Sequence, residues 1–155
     1  MTEEVLQCPE CNAAWRDNQT CEEHFHQMLY WENEYAVNWE VHHLTVLSYY
    51  LQHPSLYSLE GLQYSLKLLV DFVERGVTTV ESRGNSRDQV RSDKRKWKVT
   101  GRPGSVGAYD HSVAWTMTAG DVVAAGEPHY RERVRAWATS ILTALRVSKN
   151  LPSEL

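Results

Sequence analysis

CEEHFHQMLYWENEYAVNWEVHHLTVLSYYLQHP, residues 21–54, holds two helical patterns with very few residues between them. In the first, Phe25, Met28, Leu29 and Glu32 recur at helical spacing, and Glu22 and Glu23 suit the positive end of the helix dipole. With Asn18, Gln19 or Thr20 as N-cap, this helix is expected to run to about Tyr35. The second pattern predicts a helix from Trp39 to Gln52, with Leu44, Leu47 and Leu51 as its apolar stripe and Val46, Tyr49 and Tyr50 widening it. Pro54 ends it and biases His53 out of the helical region. So short a connection makes the two helices an antiparallel hairpin. If the bend centres on residue 37, Cys21 lies 37 − 21 = 16 positions before it and His53 lies 53 − 37 = 16 after it. At ~1.5 Å of rise per residue, the chain returns His53 to the level of Cys21.

That coincidence matters because of what precedes the hairpin. Cys8, Cys11 and Cys21 are the only cysteines, spaced C-x2-C-x9-C. The opening residues show no basic-then-apolar leader, and no later run reaches the ~20 apolar residues that span a bilayer. A soluble cytoplasmic protein keeps its thiols reduced, and three clustered thiols then fit a metal better than a disulfide. Paired thiolates favour Zn2+ over harder cations, and a tetrahedral site needs one more ligand. His53, delivered by the hairpin, is the preferred fourth ligand. His24, one turn beyond Cys21, is the local alternative, and His26, a carboxylate or water is a further one. Closure by histidine makes the zinc structural. Closure by water would leave an activated nucleophile with Glu22 or Glu23 as its base.

Further along, Leu62, Leu66, Leu69, Phe72 and Val73 predict a third helix from Ser58, stopped by Gly76. Residues 77–117 are polar and broken by glycine and proline, with a short polar helix expected over about 86–96 and an irregular loop after it. Thr118 and Asp121 form a capping-box variant that opens a short helix to Ala125. A final helix follows over about 129–147, with Val134, Trp137, Ile141, Leu142 and Leu145 on its apolar face. Trp39, Trp115 and Trp137 are expected in the core. No alternating run is long enough to demand a sheet. The expected fold is therefore mainly α: one domain over 1–155, a compact bundle of about four to six helices with an N-terminal zinc knuckle and a long irregular loop. Its parts are the knuckle (1–20), helical core (21–76), polar and basic loop region (77–117) and C-terminal helices (118–148).

The net charge of −4 is unevenly spread. Residues 1–40 carry nine carboxylates against Arg16, whereas residues 83–102 carry eight basic side chains against Asp88 and Asp93. An acidic front half argues against wholesale nucleic-acid coating, but a strip including Arg87, Arg91, Arg95 and Lys98 offers a local anion or partner surface. A second polar site is expected near the bend. His42 and His43 lie eleven and ten residues before His53, too far to share its ion. They are placed with Glu32, Glu34 or Glu40, or with the loop trio Tyr109, Asp110 and His111. At most one of two adjacent helical histidines faces inward.

CPEC, the VHHLTVLSYYLQHP helix (41–54), AWTMTAGDVV (114–123) and RVRAWATSIL (133–142) together resemble a bacterial family of uncharacterised proteins. Its members carry a CPxCG start and an H-[RH]-LTV-x2-Y-x2-QHP helix. The resemblance places Cys8, Cys11, Cys21, His42 and His53 on motif positions, and puts Asn12 where the pattern has glycine. It implies no activity. The expected function is that of a binding or regulatory module with structural zinc, acting on a protein partner or small ligand and not on a membrane. The alternatives are a metal-dependent hydrolase or transferase working near His42, His43 and His111, and phosphate or nucleic-acid binding through 83–102.

Overall fold

A computed structural model gives the fold, describing residues 6–15, 19–76 and 106–151. A hairpin comes first, with β1 (Leu6–Gln7) antiparallel to β2 (Ala14–Trp15) and Leu6 opposite Trp15. These strands are too short to leave an alternation in the sequence, so the expectation of no sheet is corrected by a two-residue ladder. The cysteine turn itself generates it, because Cys8 N–H donates to the Ala13 carbonyl (2.9 Å) and Asn12 N–H to the Cys8 carbonyl (3.0 Å). Asn12 has φ +64°, the left-handed region that asparagine tolerates better than other side chains bar glycine. A glycine-like turn is thus kept without glycine.

Helix α1 (Cys21–Glu34) begins at Thr20, whose hydroxyl accepts from Glu23 N–H (3.2 Å) while the Glu23 carboxylate accepts from Thr20 N–H (3.3 Å). Its inward residues are Cys21, Met28 and Glu32. The second helix starts later than the periodicity suggests: Ala36–Val41 is a 3-10 segment and α2 is His42–Leu51. Buried Asn38 holds this tight reversal, its amide donating to the Trp31 carbonyl and to Glu127 Oε1, each at 3.2 Å. The same winding turns Trp39 outward, 47% exposed with its ring against His42 (centroids 4.4 Å apart), which corrects its expected place in the core.

Helix α2 is buried on nearly every side through Leu44, Thr45, Leu47, Ser48, Tyr49 and Leu51. It packs against α3 (Leu59–Glu74) and the long C-terminal α5 (Tyr130–Val147), while α1 packs against α4 (Ala119–Ala124). Ser58 Oγ caps α3 by accepting from Gly61 N–H (2.9 Å), and Gly76 follows it with φ +64°. Asp121 caps α4 by accepting from Thr118 N–H (2.8 Å). The core of Met28, Leu51, Leu69, Val122, Trp137, Ile141 and Leu145 lies where these helices meet. Among the described residues the chain is mainly helical, with five α-helices and no helix long and apolar enough to cross a membrane. Residues 106–117 form an irregular strap across the bundle. Gly107 N–H donates to the Tyr57 carbonyl (2.7 Å), and a Cβ at Gly107 would sit 2.6 Å from the Pro54 carbonyl, so glycine is required at this crossing. The expected polar helix at 86–96 and the basic strip of Arg87, Arg91, Arg95 and Lys98 lie outside the described residues.

Candidate metal centre

Three elements converge at the open end of the α1–α2 hairpin. The cysteine turn contributes Cys8 and Cys11, α1 contributes its first residue, Cys21, and the second position after α2 contributes His53. Their ligand atoms all lie within 4.8 Å of one another. Cys8 Sγ is 3.5 Å from His53 Nε2, and Cys11 Sγ is 3.5 Å from Cys21 Sγ. All four residues are buried, the most exposed being His53 at 6%. No disulfide links the thiols.

The surroundings orient these groups as ligands. His53 leaves the helical region at φ −130° because Pro54 follows it, and its Nδ1–H donates to the Tyr49 carbonyl (2.6 Å). A carbonyl only accepts, so Nδ1 carries the proton and Nε2 presents its lone pair to the thiols. Cys11 N–H points at Cys8 Sγ (3.5 Å), and Trp15 Nε1–H donates to Cys21 Sγ (3.3 Å). Glu10 ties the knuckle to the end of the hairpin by accepting from Ser55 N–H (3.1 Å). A hydrogen bond from the Cys11 thiol lowers Cys21 to about 4 against the opposing effect of burial, with His53 and Trp15 helping. The same bond, followed by burial, pushes Cys11 strongly upward. For His53, burial acts downward but is outweighed by Cys21 and the Tyr49 carbonyl, so its pKa rises. Four buried soft donors around one point could hold a metal ion, and their chemistry fits a tetrahedral cation.

His24 lies outside this group. Its ring is turned toward α4, with Nε2 3.4 Å from where a Cβ on Gly120 would stand. His26 is exposed and 3.9 Å from Glu22.

The second set of polar residues is dispersed. His42 does meet an acid: its Nδ1 lies 2.7 Å from Oε1 of Glu32, a carboxylate with no solvent exposure. Tyr130 OH donates to Glu32 Oε2 (2.7 Å) and lies 2.9 Å from Thr45 Oγ1. His43 points elsewhere and meets the Phe72 ring edge-on, as adjacent helical positions require. Glu34 is exposed on α1. Tyr109 OH donates to the Leu51 carbonyl, and Tyr109, Asp110 and His111 line a cleft with Glu10 and Pro54. They therefore sit at the Cys/His end of α2 and not beside His42, so the expected polar pocket joining them to His42, His43 and Glu34 is not assembled. The α2 rise of ~1.5 Å per residue keeps its two ends apart. Glu32 is legible as an acid inside an apolar stripe, whereas Tyr130, ninety-eight residues away, carries no such signal.

Comparisons with curated proteins and with solved structures yield no match. A family model matches residues 6–146, a span running from the cysteine hairpin to the last helix, and the chain therefore belongs to DUF5946, a family of unknown function.

Proposed function

We propose that Cys8, Cys11, Cys21 and His53 bind one Zn2+ as a closed structural site, and that the protein is a cytoplasmic binding or regulatory module built on it. The observation that carries this reading is the burial of all four donors, with His53 fixed through Nδ1 so that Nε2 faces the thiols. Four protein ligands complete a tetrahedron and leave no position for water or substrate, which favours a structural role over a hydrolytic one. The ion joins the N-terminal turn to the start of α1 and the end of α2.

Metal analysis and X-ray absorption on the purified protein test this. The expected result is one zinc per chain with three sulfur ligands and one nitrogen. His53→Ala should open that shell to a solvent oxygen or lose the ion, and His24→Ala should leave it unchanged. An unaltered first shell in His53→Ala, or fewer than three sulfurs in the parent, would overturn the assignment.

A further inference from the structure

Beside the zinc hairpin lies a cleft of about 520 Å³, bounded by Ala13 and Ala14 of the hairpin, His24 of α1, Trp115 of the strap, and Gly120 and Asp121 of α4. Its size falls within the range of small-molecule sites. Three features of its lining point to a ligand. The His24 imidazole has no hydrogen-bond partner among the described residues, and its Nε2 lies 3.4 Å from where a Cβ on Gly120 would stand. Asp121 uses only Oδ2 in capping α4, accepting from the N–H and hydroxyl of Thr118 (2.8 and 3.3 Å), and Oδ1 has no partner among the described residues. Trp115 supplies an indole, anchored at its edge by Tyr109 (centroids 6.0 Å apart). Among the described residues no lysine or arginine lines the cleft, and the single formal charge is negative.

We propose that this cleft binds a small planar organic cation of the amidine class, with Asp121 as its counter-ion, Trp115 as its aromatic wall and His24 as a hydrogen-bond partner. A cation gains from both the carboxylate and an indole face, whereas a phosphate or carboxylate ligand meets no lysine or arginine among the described residues lining the cleft. Ala13 also accepts the Cys8 N–H bond of the knuckle, so the wall of the cleft is part of the turn that carries two thiols. The site deepens the reading as a binding module and rests on it only through the zinc that holds this wall.

The test uses benzamidine and benzoate, a cation and an anion of matched shape, titrated at about pH 8 into zinc-loaded full-length protein and followed by two-dimensional amide and indole NMR. Benzamidine should give saturable shifts at His24, Gly120 and the Trp115 indole, with a dissociation constant on the order of millimolar, as befits a fragment. Benzoate should give none. Asp121→Asn keeps an oxygen to cap α4 while removing the charge, and should weaken benzamidine about tenfold. Gly120→Leu should abolish the shifts by filling the cleft. Equal binding of benzoate, shifts confined to other surfaces, or undiminished benzamidine affinity in a folded Asp121→Asn would overturn the proposal. So would the absence of saturable shifts with full zinc occupancy. Should Asp121→Asn fail to fold, the contrast between the two probes on the parent protein still decides. A protein lacking zinc would instead count against the metal centre, which is read independently from its metal content.

Discussion

The two ends of the α1–α2 hairpin carry polar clusters of opposite character. At the bend, Glu32, His42, Tyr130 and Thr45 satisfy one another: the buried carboxylate takes an imidazole on one oxygen and a phenol on the other, each at 2.7 Å. At the open end, three thiols and an imidazole crowd together, with Cys8 Sγ 3.5 Å from His53 Nε2 and Cys11 Sγ 3.5 Å from Cys21 Sγ. A cluster complete in hydrogen bonds needs no ion. A cluster of thiols and an imidazole converging on one point, with Cys8, Cys21 and His53 braced by backbone or indole groups, could hold one. Both lie on the same two helices, eleven residues apart on each, Cys21 to Glu32 and His42 to His53. Donor chemistry distinguishes the candidate metal site from the structural network.

The sharpest way to break this contrast is to remove one thiol. Cys11→Ser should lower zinc content from one per chain to near zero and drop the thermal midpoint by on the order of 10 °C, because metal binding energy is folding energy. A midpoint unchanged by the substitution and by chelator would mean that the open end is held without metal. Acidification belongs to the same test: all four donors must be deprotonated to bind, so zinc affinity should fall as pH falls.

Next in size is the bend. Glu32→Ala leaves Tyr130 OH with Thr45 alone and removes the partner of the His42 ring, and should cost about 1–2 kcal/mol by chemical denaturation while leaving zinc stoichiometry at one. Loss of zinc in this variant would show that the two ends are not independent. A smaller effect is expected behind the first ligand shell. Trp15→Phe deletes the Nε1–H donor to Cys21 Sγ, and should weaken zinc about tenfold in a chelator competition with little change in helix content. The smallest concerns the knuckle turn. Asn12→Ala should destabilise by about 1 kcal/mol and Asn12→Gly should be neutral or slightly stabilising, since φ is +64° there. Equal stability of the two variants would show that this backbone angle carries no strain.

Much of the helical frame was legible before folding is considered. The start of α1 at Thr20, one of three N-cap candidates, the stop at Gly76, the Thr118–Asp121 cap and the apolar face around Trp137 are local codes, and each stands where spacing and cap chemistry allow it. Periodicity misled at Trp39, because a 3-10 segment and an α-helix share nearly the same apolar spacing over six residues, and a buried asparagine chose between them. The β1–β2 hairpin escaped notice because two-residue strands leave no alternation. At the second polar site, His42 finds its acid, but Tyr109, Asp110 and His111 go to the opposite end of α2, since the strap is positioned by contacts such as Tyr109 to Leu51 and not by any local pattern.

The sequence by itself determined the helices, the antiparallel hairpin and, through equal path lengths around its bend, the convergence of Cys21 with His53. Those follow from rise per residue and cap chemistry, which act over a few neighbours. Only the tertiary structure decided that His24 turns away to Gly120, that Tyr130 completes the Glu32 network and that Trp15 reaches Cys21 Sγ. These depend on which faces meet when separate elements pack, and burial sets that choice through the whole core at once.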